Sequence, residues 1–301
     1  MPIALVASAN GDVGMDAAWD ILASGGHALD AVEAGCREVE DNPDDHTVGY
    51  GGYPNLEGIV ELDASIMDGE TRRAGAVGGL RGYRAAVTVA RAVLDRLPHV
   101  LVVGEGAARL AAEIGLQAED LLTDEAARVW EDGLSGRLDG GSLGARMLAL
   151  VSELATDPDR ARAVAGADGQ PSGPPDASTV NFIAIDGNGR MASAVSTSGW
   201  AWKYPGRLGD TPIIGAGNYC DGRYGAATCT GFGELAIRAS TARTTVSMMQ
   251  MGMGPEESLL GAVRDLETLG TPREQLIMHA IALTPAGDHA GVTTRAAGAE
   301  Y

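Results

Sequence analysis

Three features of this sequence predict a mixed chain of the α+β class. Apolar residues alternate with polar ones over 60–66, the period of a strand, whereas Leu29, Val32, Cys36 and Val39 recur at helical spacing. Two strand-like runs, 179–186 and 190–197, flank Gly187-Asn188-Gly189, which is the chemistry of a tight antiparallel turn. The composition, 45% hydrophobic with only two Phe and four Trp among 301 residues, describes a core of Ala, Val, Leu and Ile. Length alone admits one large domain or two small ones.

Taken in order, residues 3–7 read as a buried strand. Residues 16–24 read as a short helix that Gly25-Gly26 ends. The helix carrying Leu29 to Val39 follows, and its spacing makes Cys36 a core thiol rather than a nucleophile. Residues 42–58 form a loop around Val48-Gly49-Tyr50-Gly51-Gly52, where dense glycine suits either a close backbone approach to a ligand or a plain turn. Val60 to Ile66 alternates as a half-buried strand. Tyr83, Val87, Ala90, Leu94 and Leu97 mark a helix stopped by Pro98, and 99–103 is a further strand. Gly104-Glu105-Gly106 then opens a helix through Ile114; this lone GxG lacks the rest of a phosphate-loop fingerprint.

Residues 116–154 read as helical pieces interrupted at 133–141, and about 156–178 as a linker of Asp, Gly, Pro, Ser and Arg without an apolar period. After the hairpin comes a glycine-rich loop and strand region, 210–233. One long helix is expected over 234–251 and another over 255–269, with the methionines of 248–253 as core filler. Two strands, about 276–283 and 289–294, end the chain.

The formal charge of −19 argues against a nucleic acid partner or an anionic membrane surface. Three cysteines without metal-ligand spacing suit a reducing compartment. No apolar run approaches the roughly 20 residues that span a bilayer, and the N-terminus has no basic leader, so the expected place is the cytoplasm.

The chemistry-bearing residues cluster after the linker. A threonine hydroxyl is a weak nucleophile, and an α-amino group of pKa about 7.7–8 is a suitable base for it at neutral pH. Thr179, at the junction of linker and strand, would carry both functions if the chain cut itself before that residue. With a three-residue loop centred on Asn188, antiparallel pairing places Thr179 opposite Thr197. Arg207 and Asp210, in Gly206-Arg207-Leu208-Gly209-Asp210, offer a guanidinium fork and a carboxylate to the carboxylate and ammonium of an amino acid; a surface ion pair accounts for the same residues. Thr230 and Gly231 supply a hydroxyl and a backbone N–H side by side, as an oxyanion hole requires, or a simple turn.

These stretches resemble a known family, that of glycosylasparaginases and isoaspartyl peptidases (plant-type asparaginases). The resemblance rests on Ser178-Thr179-Val180, Ser196-Thr197-Ser198-Gly199, the run from Gly206 to Gly217, and Gly225 to Gly231. It reaches the first half through the run from Ser24 to Glu33, Val48 to Gly52, Leu62 to Gly69 and Val89 to Val93, which are most similar to the glycosylasparaginase branch.

The resemblance implies a four-layer αββα sandwich of the N-terminal nucleophile hydrolase type, with two antiparallel sheets between helical layers. It implies one domain over 1–301 that cleaves itself between Ser178 and Thr179 into subunits 1–178 and 179–301. Thr179 would be the nucleophile and Thr197 its hydroxyl partner. Arg207 and Asp210 would hold the aspartyl head group, and Thr230 with Gly231 would form the oxyanion hole. The expected reaction is hydrolysis of a β-amide of aspartate through a β-aspartyl ester, with no cofactor or metal, in a homodimer. Two departures from the glycosylasparaginase branch stand out. Ala177-Ser178 replaces the usual His-Asp before the nucleophile, with Asp176 the nearest carboxylate, and Ser8-Ala9-Asn10-Gly11 stands where that branch carries a tryptophan. Glycosylated asparagine, asparagine and β-aspartyl peptides all remain open as substrates, and an unprocessed, catalytically weak homologue that binds aspartate-like ligands is the alternative.

Overall fold

In the computed structural model, which describes residues 2–137, 147–149, 151–152, 179–271 and 276–294, the strands form two sheets. The six-stranded sheet contains Ala4–Ala7 (β1), Leu62–Asp68 (β2), Ala74–Leu80 (β3), Leu101–Val103 (β4), Val180–Ile185 (β5) and Met191–Thr197 (β6), in the order β1-β5-β6-β2-β3-β4. The four-stranded sheet contains Asn218–Asp221 (β7), Gly225–Gly231 (β8), Met278–Leu283 (β9) and His289–Thr293 (β10), in the order β10-β9-β8-β7. The helices are Asp12–Ala23 (α1), Ala28–Asp41 (α2), Ala86–Arg96 (α3), Gly104–Glu113 (α4), Asp124–Leu134 (α5), Gly233–Ala239 (α6), Thr241–Gln250 (α7) and Pro255–Glu267 (α8). The class is therefore α+β, as expected. Among the described residues no helix is long and apolar enough to cross a membrane.

Side-chain alternation sorts β5 onto two cores. Phe182 and Ala184 pack with Leu22, Val32 and Val93 of the α1–α3 layer, while Ile183 and Ile185 meet Cys220, Ala226 and Ile281 of the other sheet. A third cluster joins Leu235, Val246, Leu259 and Leu266 of α6–α8 to Ala227, Met278, Ala280 and Ala282. Phe182 is fully buried, and glycine is what admits its ring. A Cβ at Gly35 would lie 2.7 Å from it. Cys36 is a buried core thiol, and Cys220 and Cys229 are buried and free as well.

The β5–β6 hairpin follows the local signals. The Asp186 N–H donates to the Arg190 carbonyl at 3.0 Å, the Gly189 N–H to the Asp186 carbonyl at 2.8 Å, and Gly189 takes the left-handed φ of 80° that the turn requires. Val180 faces Ser196, and one step further along that register sets Thr179 opposite Thr197.

Several expectations are corrected. The alternation over 60–66 predicts a half-buried strand, yet Glu61, Asp63 and Ser65 are at most 1% exposed. Their face is covered too: Ser65 Oγ donates to the Thr211 carbonyl at 2.6 Å, and Asp63 accepts from the Gly79 N–H at 2.8 Å. Strand β3 lies in a stretch without a strand signal, because Ala74-Gly75-Ala76-Val77-Gly78-Gly79-Leu80 has little β propensity. Its glycines permit close approach, since a Cβ at Gly75 would meet the Ala90 carbonyl of α3 at 2.0 Å. The six-stranded sheet is not wholly antiparallel: β3 and β4 run parallel because α3 carries the chain back between them. The single helix expected over 234–251 is two, broken at Ser240 in the left-handed conformation (φ 51°). Of the methionines assigned to the core, Met249 is buried, but Met251 is 69% exposed. The helix expected from residue 16 starts at Asp12, and the linker at about 156–178 lies outside the described residues.

Candidate active site

The end of the β5–β6 hairpin sits where β2 and the loops after β6 and β8 meet. Thr197 is paired with Asp63 on one side and stands across from Thr179 on the other. These three polar residues stand side by side in the register. Thr179 and Thr197 line a narrow cleft together with Gly199, Trp200, Arg207, Gly209, Asp210, Thr211 and Gly231. Five of the seven residues singled out in the sequence are thus brought to one wall.

The carbonyl of Thr179 is held by two donors, Thr230 Oγ1 at 3.0 Å and Asn181 Nδ2 at 2.9 Å, with Ser8 Oγ 3.4 Å away. Thr230 Oγ1 in turn accepts from Asn181 Nδ2 at 2.6 Å. The hydroxyl of Thr230 is therefore committed to the backbone of Thr179 and does not line the cleft. Gly231 does line it. The Cys229 N–H donates toward β7 and the Phe232 N–H toward β9, so strand alternation sends the Gly231 N–H to the same side as that of Cys229, beyond the end of the β7 pairing. No larger residue fits at Gly231, where φ is 131° and a Cβ would lie 2.4 Å from the Ile277 carbonyl.

Thr197 Oγ1 donates to the Thr47 carbonyl at 3.3 Å and accepts from the Gly199 N–H at 3.0 Å. Thr47 is itself fixed by Asp45, which also accepts from Asn10 at 3.0 Å, and Asn10 accepts from Ser8 Oγ at 2.7 Å. The loops at 8–11 and 42–58 thus converge behind the two threonines.

Arg207 does not pair with Asp210. Its Nε and Nη2 take both carboxylate oxygens of Glu234, at 2.9 and 2.8 Å. The fork expected for a ligand is therefore already filled, and Nη1 lies outside that pair. Asp210 is 4% exposed and, among the described residues, its Oδ2 makes no hydrogen bond. Burial pushes its carboxyl up to about 7, against the pull of the nearby Arg207 guanidinium. A buried carboxylate on a residue that lines the cleft, with one oxygen left without a partner, is suited to pair with an ammonium group.

The loop bearing Arg207 is anchored from beneath. Lys203, 3% exposed, donates to the carbonyls of Glu61 at 2.9 Å and Ser198 at 3.0 Å. Burial lowers its pKa, while the charges of Asp63 and Glu61 oppose that shift. Burial likewise raises the Asp63 carboxyl, which accepts from the Gly79 and Gly209 N–H groups. Trp202, with φ 57°, sits in an aromatic cluster with Trp130 of α5 and donates its indole N–H to the Trp130 carbonyl at 3.0 Å.

Ser178, Ala177 and Asp176 lie outside the described residues. Sequence reasoning missed Glu234, Asn181, Trp200 and Lys203. Asn181 carried a signal, as a polar residue inside the apolar run Val180 to Ile185. Glu234 carried none, being 27 residues from the arginine that it holds.

A family model described as Asparaginase matches residues 12–296. The chain is 39% identical to an N(4)-(Beta-N-acetylglucosaminyl)-L-asparaginase of Elizabethkingia miricola over 82% of its own length and 64% of that relative's. It is 38% identical to a plant-type L-asparaginase of Pyrococcus furiosus, over 79% of this chain and 72% of the relative. It is 34% identical to an isoaspartyl peptidase/L-asparaginase of Rattus norvegicus, over 80% of this chain and 64% of the relative. The matched region thus spans less than two thirds of two of these relatives.

Proposed function

The chain belongs to the asparaginase family, and from that membership we propose that it is a self-processing amidohydrolase acting on β-amides of aspartate, built as a four-layer αββα sandwich. The observation that carries this reading is the cleft itself, lined by Thr179, Arg207 and Asp210, whose buried Oδ2 has no hydrogen-bond partner among the described residues.

In the proposed maturation, Thr179 Oγ attacks the Ser178 carbonyl, and the peptide bond becomes an ester with release of the Thr179 amine. Water then hydrolyses that ester, leaving a carboxylate on Ser178 and a free amine beside the Thr179 hydroxyl. In turnover the amine accepts the hydroxyl proton as Oγ attacks the side-chain amide carbon of the substrate. The amide nitrogen leaves with a proton, and water cleaves the β-aspartyl ester to aspartate. Asp210 pairs with the substrate ammonium and Arg207 with its α-carboxylate. The Gly231 N–H faces the developing oxyanion, and Thr230 joins it once its hydroxyl turns from the Thr179 carbonyl. Thr197, held between Thr47 and Gly199, positions the nucleophile. The names of the relatives support three leaving groups: ammonia, a glycosylamine and an amino acid.

Intact mass measurement of the purified protein tests the reading. Two fragments divided between Ser178 and Thr179 are expected, with turnover of asparagine, glycosylasparagine or a β-aspartyl dipeptide. Thr179→Ala is expected to abolish both. A chain that stays intact and inert on all three substrates, or a Thr179→Ala protein that still turns over, overturns it.

A further inference from the structure

Arg207 is gripped on its face and on one edge. Its guanidinium carbon lies 4.6 Å from the centroid of the Trp200 ring, and Trp200 is itself stacked on Phe232 with centroids 4.8 Å apart and planes 20° apart. In the plane of the guanidinium, Glu234 holds Nε and Nη2. The indole opposes tilting and the carboxylate opposes rotation. The remaining nitrogen, Nη1, sits at the cleft wall, where Cβ atoms added to Gly199 and Gly209 would approach it to 3.5 and 3.1 Å. Both glycines and Trp200 line the cleft.

We propose that Trp200 is a positioning residue that sets specificity for a free α-carboxylate, by holding Arg207 so that its Nη1 corner meets that group. The proposal rests on the amidohydrolase reading above and adds to it. An arginine side chain has many rotamers, and a guanidinium already fixed by stacking loses little freedom when the ligand arrives. The selected substrates are aspartyl β-amides whose α-carboxyl is free; an α-amide, being uncharged, accepts only a weaker hydrogen bond from Nη1. Glu234 fills the Nε–Nη2 fork and so acts with Trp200 as an orienting partner that leaves Nη1 to the ligand.

The test is steady-state kinetics on L-asparagine and on L-asparaginamide, which lacks the α-carboxylate, with Trp200→Leu, Trp200→Phe and Glu234→Gln. Trp200→Leu is expected to raise KM for asparagine about tenfold, the scale of a partly desolvated cation–π contact, with a smaller change in kcat. Trp200→Phe restores part of that loss, Glu234→Gln also raises KM, and in all three the loss in kcat/KM is smaller for asparaginamide than for asparagine. A Leu variant that loses kcat with KM unchanged, equal losses on both substrates, or a lower KM in Glu234→Gln overturns the proposal. If the wild type turns over no β-aspartyl amide, the amidohydrolase reading fails by itself. Calorimetric binding of L-aspartate then decides this one: weaker binding in Trp200→Leu sustains it, and unchanged binding overturns it.

Discussion

The hydroxyl of Thr230 donates to the carbonyl oxygen of Thr179 at 3.0 Å, tying β8 to the first residue of the β5 hairpin across 51 positions of sequence. Asn181 donates to the same carbonyl, so the backbone of the proposed nucleophile is clamped from both sheets. Thr230→Ala removes that hydroxyl and, in the proposed mechanism, one oxyanion donor. Turnover is expected to fall about 100-fold, with Thr230→Ser retaining most of it. A Thr230→Ala enzyme with near wild-type kcat refutes the role.

Asp210 links pH to both binding and stability. Because burial raises its carboxyl to about 7, the carboxylate that pairs with an ammonium is lost as pH falls below that value. The KM for asparagine is expected to rise toward tenfold per pH unit well into that range. Stability runs the other way: between about pH 4 and 7 the folded state binds a proton that the unfolded chain has released, so stability falls as pH rises through that window. Asp210→Asn therefore raises the melting temperature at pH 8 while weakening aspartate binding. A lower melting temperature with binding intact would contradict both parts.

Glu40 adds to the same slope from outside the cleft. It is fully buried, accepts from Ser196 Oγ at 2.6 Å and the Val87 N–H at 2.8 Å, and is pushed up to about 8 by burial. Held above its unfolded value, it favours folding at low pH and loses that contribution as pH rises toward 8. Thermal melts at a series of pH values are expected to show Glu40→Gln flattening the slope by up to about 1.4 kcal/mol per pH unit. An unchanged slope would mean that Glu40 is charged in the folded protein.

Gly133 guards the loop that carries Arg207. A Cβ there would lie 2.0 Å from the buried Trp202 ring, so Gly133→Ala must displace Trp202. A loss of about 1–3 kcal/mol in stability is expected, together with a higher KM for asparagine. Gly254→Ala, where a Cβ meets nothing within 4 Å, serves as the comparison: only the N-cap preference for glycine over alanine at the start of α8 is lost, about 0.5–1 kcal/mol, with KM unchanged.

Features governed by short-range rules were readable in advance. The Gly187-Asn188-Gly189 turn and the alternation beside it set the hairpin register, which places Thr179 across from Thr197. Helical spacing put Cys36 in the core. The misses share another cause. Strand β3 has glycine where α3 presses on it at Gly75 and where Leu208 presses on it at Gly78, and the helix break at Ser240 has no proline or glycine to announce it. Burial of Asp63 and Ser65 depends on a second sheet and on loops far along the chain.

The sequence by itself determined the class of the fold, the hairpin and the set of hydroxyl, guanidinium and carboxylate groups from which the candidate site is made, because these depend on neighbours a few residues apart. Only the tertiary structure decided which carboxylate holds which cation. Arg207 goes to Glu234, and Asp210 is left buried with one oxygen unpartnered among the described residues. Ion pairing depends on distance and desolvation in space, and neither is encoded in spacing along the chain.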